Sequence, residues 1–237
     1  MENLTPSVAI SRLAPKLSKT LILWPMKLYS YFRSSASFRV RIALALKGLP
    51  YDYVPVHLAK GHQLQDDFTA VNADALVPVL EVDGLRLTQS MAIMEFLDEQ
   101  FPQTPLMPKE AAGKARVRAL SQSIACEIHP LNNLRVLKYL TGTLKLDEDS
   151  KNTWYHHWVR SGLEAFEKQL QHPATGQFCH GDHVSMADCV LVPQIFNANR
   201  FKVDLSGLDR TLQIFEACMA LPAFQAAQPS ACPDFEV

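Results

Sequence analysis

From Met26 to Val56 the chain reads MKLYSYFRSSASFRVRIALALKGLPYDYVPV, and this stretch decides the fold. Met26 to Tyr31 alternates apolar and polar side chains well enough for a short strand. A polar corner, Arg33-Ser34-Ser35, follows it, and the apolar run Phe38 to Leu46 reads as a helix that Gly48 and Pro50 bring to a stop. Tyr51 to Val56 is a second strand. Because a whole helix separates the two strands they run parallel, and the segment is a βαβ unit.

Downstream of that unit lies a polar loop containing Gly61, His62 and Gln63, then a short helical stretch from Asp66 to Val71. The apolar runs Val79 to Val82 and Leu85 to Thr88 flank Asp83-Gly84, a strong hairpin signal because that dipeptide accepts the left-handed backbone a tight turn needs. Ser90 is placed to cap a helix from Met91 to Glu99, whose Ile93, Met94, Phe96 and Leu97 suit one buried face. The order βαβαββα predicts a thioredoxin-like N-terminal domain. Pro102, Pro105 and Pro108 then interrupt the pattern, marking a linker and a boundary between a domain of residues 26–107 and one of residues 108–237.

The second domain shows no strand pair and is predicted all-helical. Residues 110–140 are helix-like with Pro130 as a kink, 148–171 are amphipathic, and Gly207 to Ala220 supply a last helix. Between them Ser185-Met186-Ala187-Asp188 resembles a capping box, with Asp in place of the usual Glu or Gln, leading into Cys189 to Asn199. Residues 1–25 precede the first strand. They carry Arg12, Lys16 and Lys19 against Glu2, and the apolar run Leu21 to Trp24 is too short for a secretory core. They read as an extension outside the fold or as an upstream start in place of Met26.

Composition narrows the partners. The 237 residues carry 23 basic and 24 acidic side chains for a net charge of −1, with no long run of either sign, so neither nucleic acid nor an anionic membrane is indicated. Small molecules are the expected partners. Five cysteines with no C-x-x-C pair argue against a disulfide framework and fit a reducing cytoplasm. No stretch approaches the ~20 apolar residues of a membrane-spanning helix. Cys179, His180 and His183 lack partner ligands, and the adjacent His156 and His157 cannot face one ion together, so no metal site is expected.

Three corners of the first domain suit a ligand. Ser34-Ser35-Ala36-Ser37 occupies the place where redox thioredoxins carry C-x-x-C, so disulfide chemistry is excluded there. Two hydroxyls and free N–H groups at a helix N-terminus serve either as a simple cap or as a stabiliser of an anion such as a thiolate. Val77-Pro78 precedes the hairpin, where a cis proline would offer the Val77 backbone to an extended peptide. Gln89-Ser90 stands at a second helix start, again a cap or a carboxylate site. Together they suggest a small peptide bearing a thiol and carboxylates, namely glutathione.

The segment Tyr29 to Leu44 resembles the signature of zeta-class glutathione transferases, the family of maleylacetoacetate isomerases, whose motif reads S-S-C followed by x-[WH]-R-V-R-I-A-L. Similarity continues through Lys60-Gly61-His62-Gln63, Val77-Pro78, Gln89-Ser90, His129 to Arg135, Gly181-Asp182, Ser185 to Asp188 and Arg200 to Asp204, covering residues 26–235. The resemblance implies that Ser34 activates the glutathione thiol, with Ser35 and the following helix start, including Arg39, lining the same site. It also implies that Gln63, Val77, Gln89, Ser90 and Asn133 hold glutathione. Ala36 departs from the family cysteine, which removes a thiol from that corner and leaves the serine chemistry in place.

The substrate such a family implies is an unsaturated dicarboxylate, for which Arg33 and Arg200 are the candidate carboxylate binders, with His129 facing the same cleft. The implied reaction is glutathione-dependent isomerisation of maleylacetoacetate in tyrosine and phenylalanine catabolism, by a cytoplasmic homodimer. Maleylpyruvate isomerisation, general glutathione conjugation and a non-catalytic binding relative are the competing readings. Ser34, Arg33 and Arg200 favour catalysis over mere binding.

Overall fold

The computed structural model describes residues 25–236. The elements run β1 (Met26–Ser30), α1 (Ser35–Leu46), β2 (Asp52–Pro55), α2 (Asp66–Thr69), β3 (Val79–Val82), β4 (Leu85–Thr88) and α3 (Ser90–Gln100). They continue as α4 (Ala111–Gln122), α5 (His129–Asn132), α6 (Leu134–Gly142), α7 (Glu148–Gln169), α8 (Met186–Arg200), α9 (Asp209–Met219) and α10 (Pro222–Ala227). The single sheet has the order β2-β1-β3-β4, with β2 parallel to β1 and β3 and β4 antiparallel. This is the expected thioredoxin-like layout followed by an all-helical remainder.

The hairpin between β3 and β4 turns at Asp83 and Gly84, both with positive φ (49° and 75°), the backbone a two-residue primed turn requires. In the middle of the sheet β3 buries Val79, Leu80 and Val82, while β1 alternates, hiding Met26, Leu28 and Ser30. Helix α1 is the shared element of the molecule. It packs on α3 beside the sheet and on α8 and α10 of the helical remainder, so every residue from Ser37 to Leu44 is buried. A helix apolar nearly all round, as this one reads in sequence, belongs between two layers.

Arg39 and Arg41 are charged side chains buried within that helix. Arg41 is 1% exposed and fully engaged: Nε donates to the Ala227 carbonyl at 2.9 Å, and Nη1 and Nη2 donate to Ser30 Oγ and to the carbonyls of Tyr31 and Phe32. It thereby fastens the loop after β1 to α10. Asp188 plays a comparable part at the start of α8: its carboxylate accepts from the N–H groups of Ser185 and Cys179 and from Ser185 Oγ. The capping box is present as the sequence suggests, with aspartate doing the work of the longer acids.

Three local expectations need correction. Ser90 is the first helical residue of α3, and Gln89, at φ 66°, holds the cap position. The stretch 110–140 is interrupted by a π-helical segment, Ser123–Ile128, and breaks at Asn133, whose extended backbone (φ −65°, ψ 146°) and side chain cap α6; Pro130 sits harmlessly in the first turn of α5. After the helix ending at Met219 the chain forms α10 and a 3₁₀ turn, Pro229–Ala231. The expectation for residues 1–25 falls, except for Pro25, outside the described residues.

Candidate active site

Residue Ser34 is the N-cap of α1. Its Oγ accepts a hydrogen bond from the Ser37 N–H at 3.2 Å, which ties up one lone pair and leaves the hydroxyl proton free to donate. The two readings of this serine therefore coincide: the oxygen caps the helix, and the O–H group is available at the positive end of α1. Ser35 differs. Its hydroxyl accepts from Asn197 Nδ2 at 2.6 Å and lies 3.5 Å from the Pro193 carbonyl, both on α8, and the residue is 4% exposed. It ties the two domains together in the wall of the site.

A cleft opens at this point between the thioredoxin-like layer and the helices that follow it. Tyr31, Arg33, Ser34, Ser35, Ala36 and Val77 line it from the sheet side, and His129, Asn132, Asn133, Tyr155, Asn197 and Arg200 from the helices. Of the residues expected from sequence, Arg33, Ser34, Ser35, Val77, His129, Asn133 and Arg200 are thus brought together. Gln63, Gln89, Ser90 and Arg39 lie outside this wall.

Each of those four has a distinct local setting. Arg39 is 2% exposed; Nη1 donates to Ser90 Oγ at 3.2 Å, while Nε and Nη2 have no partner among the described residues. Burial lowers its pKa to about 10, so it remains a cation at neutral pH behind the α3 N-terminus. Gln63 is half-buried, and its Oε1 has no partner among the described residues. Gln89 adopts a positive φ that a non-glycine residue rarely accepts, in front of the free N–H groups of α3. The Val77–Pro78 peptide bond is cis, and no backbone hydrogen bond of Val77 occurs among the described residues, so its N–H and C=O remain for an extended ligand. At the cleft wall the Val77 backbone is thus open to an extended peptide.

The two arginines give the cleft its charge. Arg33 is exposed, rests over the Phe32 ring at 4.9 Å and donates to the Glu236 carbonyl at 3.3 Å. Arg200 lies over the Phe201 ring at 4.7 Å with no carboxylate partner among the described residues. Partial desolvation lowers the Arg200 pKa, and the neighbouring Arg33 lowers it further, so the two guanidiniums share one mouth. His129 is no third cation. Desolvation first, then the charges of Arg39 and Arg135, push it down to about 3 even though part of the ring reaches the cleft, so it is neutral, and its Nδ1 is buried with no partner among the described residues.

The far end of the chain supports this corner. Asp234 accepts from the Phe32 N–H at 3.2 Å and from the Tyr53 hydroxyl at 2.6 Å, while Glu236 pairs with Lys60 at 2.6 Å and His57 at 3.3 Å. Arg41 holds the carbonyls of the same loop and Asp234 its amide. Asp234, Asn197 and Tyr155 were not expected from sequence. Asn197 lies three residues before Arg200 and so on the same face of α8, which was the available signal; Tyr155 is indistinguishable in sequence from a core aromatic.

Known proteins agree with this construction. Residues 24–99 match the family described as glutathione S-transferase, N-terminal domain. Over 209 residues the chain is 46% identical to the maleylacetoacetate isomerase of Rattus norvegicus, covering 87% of this chain and 94% of that one. It superposes with a TM-score of 0.87 at 45% identity on a maleylpyruvate isomerase described as a bacterial zeta-class glutathione S-transferase, over 89% and 100% of the two chains. The maleylacetoacetate isomerase of Anaeromyxobacter dehalogenans, solved with glutathione in its active site, aligns with a TM-score of 0.81 at 42% identity over 90% and 98%. The chain belongs to the zeta-class glutathione transferases, in the branch of the maleylacetoacetate isomerases.

Proposed function

We propose that the protein is a glutathione-dependent cis–trans isomerase that converts maleylacetoacetate to fumarylacetoacetate in tyrosine and phenylalanine catabolism, acting as a cytoplasmic homodimer. The observation that carries this reading is the Ser34 hydroxyl at the N-terminus of α1, in a cleft whose mouth holds Arg33 and Arg200 with no carboxylate paired to either among the described residues. Domain division near residue 107 rests on Pro102, Pro105 and Pro108, the cytoplasmic setting on five cysteines without a C-x-x-C pair, and the homodimer on the family. Among the described residues no helix is long and apolar enough to cross a membrane, and no group of three or more metal-ligating side chains is gathered.

Glutathione, when bound, supplies a thiolate that adds to the double bond and departs once the intervening single bond has rotated. The protein's own tasks follow. Val77 would pair with the peptide backbone, Gln63 and Asn133 with its polar groups, and Gln89, Ser90 and the cation of Arg39 with its γ-glutamyl end. Ser34 O–H would hold the sulfur as an anion, helped by the α1 dipole. Arg33 and Arg200 would each take a carboxylate of the substrate through a planar fork, fixing both ends while the middle turns. His129, neutral, would contribute hydrogen bonds and no charge.

Maleylpyruvate isomerisation is the second reading, supported by the likeness to the maleylpyruvate isomerase structure. Turnover of maleylacetoacetate, maleylpyruvate and a chloroaromatic acceptor, each with and without glutathione, separates these from general conjugation. The proposal requires glutathione-dependent isomerisation of maleylacetoacetate at the highest kcat/KM of the three; conjugation alone would overturn it.

A further inference from the structure

The long helix α7 places in the cleft wall a polar group that the fold does not use. Tyr155 is 1% exposed, lines the cleft and stacks on Phe201 at 3.9 Å between centroids and 20° between planes. Its hydroxyl is buried and has no hydrogen-bond partner among the described residues. Phenylalanine would stack on Phe201 equally well without an unpaired oxygen, so packing does not explain the tyrosine. Burial raises the phenol pKa above its ordinary value while the charge of Arg200 opposes the shift, so the group stays protonated, a donor beside a cation.

We propose that Tyr155 is a catalytic residue whose Oη–H donates a hydrogen bond to the substrate carbonyl oxygen conjugated with the double bond. The inference rests on the isomerase reading above. When the glutathione sulfur bonds to one alkene carbon, the π electrons move through the adjacent carbon onto that carbonyl oxygen, leaving a single bond free to rotate. The electrons return as the C–S bond breaks, and no proton changes hands. Tyr155 opposes the negative charge for as long as the oxygen carries it, a fixed donor in a desolvated site. Arg200, next to it, is occupied by a carboxylate, so the two groups recognise a carboxylate and a keto oxygen on the same side of the substrate. A dicarboxylate without that ketone gains nothing from the tyrosine.

The test is Tyr155→Phe, which keeps the stacked ring. The melting temperature is expected to stay level or rise, because a buried unpaired hydroxyl is removed. Glutathione affinity should be unchanged, kcat for maleylacetoacetate should fall by roughly 10- to 100-fold, and calorimetric affinity for acetopyruvate should weaken by about 10-fold while that for succinate is unaltered. Acetopyruvate presents a carboxylate and an enolised keto oxygen without an electrophilic double bond, so this arm reads the contact without turnover. A fall in melting temperature of several degrees, or unchanged acetopyruvate affinity together with unchanged kcat, overturns the proposal. If the wild type does not isomerise maleylacetoacetate yet loses acetopyruvate affinity selectively on Tyr155→Phe, the hydrogen bond stands and the isomerase reading falls.

Discussion

Replacing Ser34 by alanine removes two interactions that can be measured apart. One is the cap, Ser37 N–H to Ser34 Oγ at 3.2 Å, whose loss costs about 1 kcal/mol and lowers the melting temperature by roughly 2–4 °C in a chain of this size. The other is the hydroxyl proton proposed to meet the glutathione sulfur. A free thiol titrates near ~8.5, and bringing it down by ~2 units takes about 2.7 kcal/mol of preferential anion stabilisation. A hydrogen bond to a charged group supplies about 1.5–3 kcal/mol, and a helix N-terminus up to about 2 in a partly buried setting. The hydroxyl is therefore the larger share. Ser34→Ala should raise the bound thiol pKa by ~1–2 units and cut kcat/KM at neutral pH on the order of 10²-fold. Thiolate absorbance of bound glutathione, titrated against pH in both proteins, reads the shift directly. Equal thiol pKa values in the two would show that Ser34 only caps α1 and that the activating group lies elsewhere. Ser35→Ala should do less, since its hydroxyl is already bound to Asn197.

Arg200→Ala should raise KM for a dicarboxylate substrate by roughly 10- to 100-fold, the equivalent of a charge-assisted contact, with glutathione affinity unchanged in direct titration; equal weakening of both would misplace the arginine. Asp234→Ala strands the Phe32 N–H and the Tyr53 hydroxyl and should cost about 1–3 kcal/mol, read as a lower urea midpoint at constant m-value. For His129 the folded pKa is depressed from 6.5 to about 3, so between those values the unfolded chain binds the extra proton and stability falls as the pH drops below about 6.5. His129→Gln should flatten that part of a stability–pH curve, and identical curves for the two proteins would contradict the assigned shift.

Local chemistry explains which parts of this structure the sequence discloses. Asp83-Gly84 sets its own turn, and Ser185 with Asp188 its own helix start, so the hairpin and α8 are legible without knowing what they pack against. Ser34, Arg33 and Arg200 are legible because they sit in motifs whose spacing repeats across a family. Tyr155 and Asn197 are not, since 3.6-residue periodicity says that a side chain is buried and nothing about what it faces. The break at Asn133 is not legible in sequence, where Pro130 is the stronger helix-breaking signal, yet in the first turn of α5 the missing N–H of that proline costs nothing. Asp234 has no periodic context at all; only the folded chain reveals that it reaches Phe32. Arg39, a ligand contact by resemblance, is buried and donates to Ser90 at the α3 N-terminus, a pairing that no periodicity in the sequence discloses.

The partnership between Asp234 and the Phe32 amide also has an order in time. The two residues are 202 positions apart, and a ribosome adding about 5–20 residues per second completes the loop before Ser34 some ~10–40 s before its support is made. During that interval β1, α1 and the β3–β4 hairpin are all available to pair, but neither Ala227, which receives Arg41, nor Asp234 exists yet. The thioredoxin-like layer can therefore assemble early while the corner that carries the reactive serine stays open on both its carbonyl and its amide sides. Nascent chains should acquire sheet protection well before they can hold a thiolate, a competence that waits for Asp234 to be made.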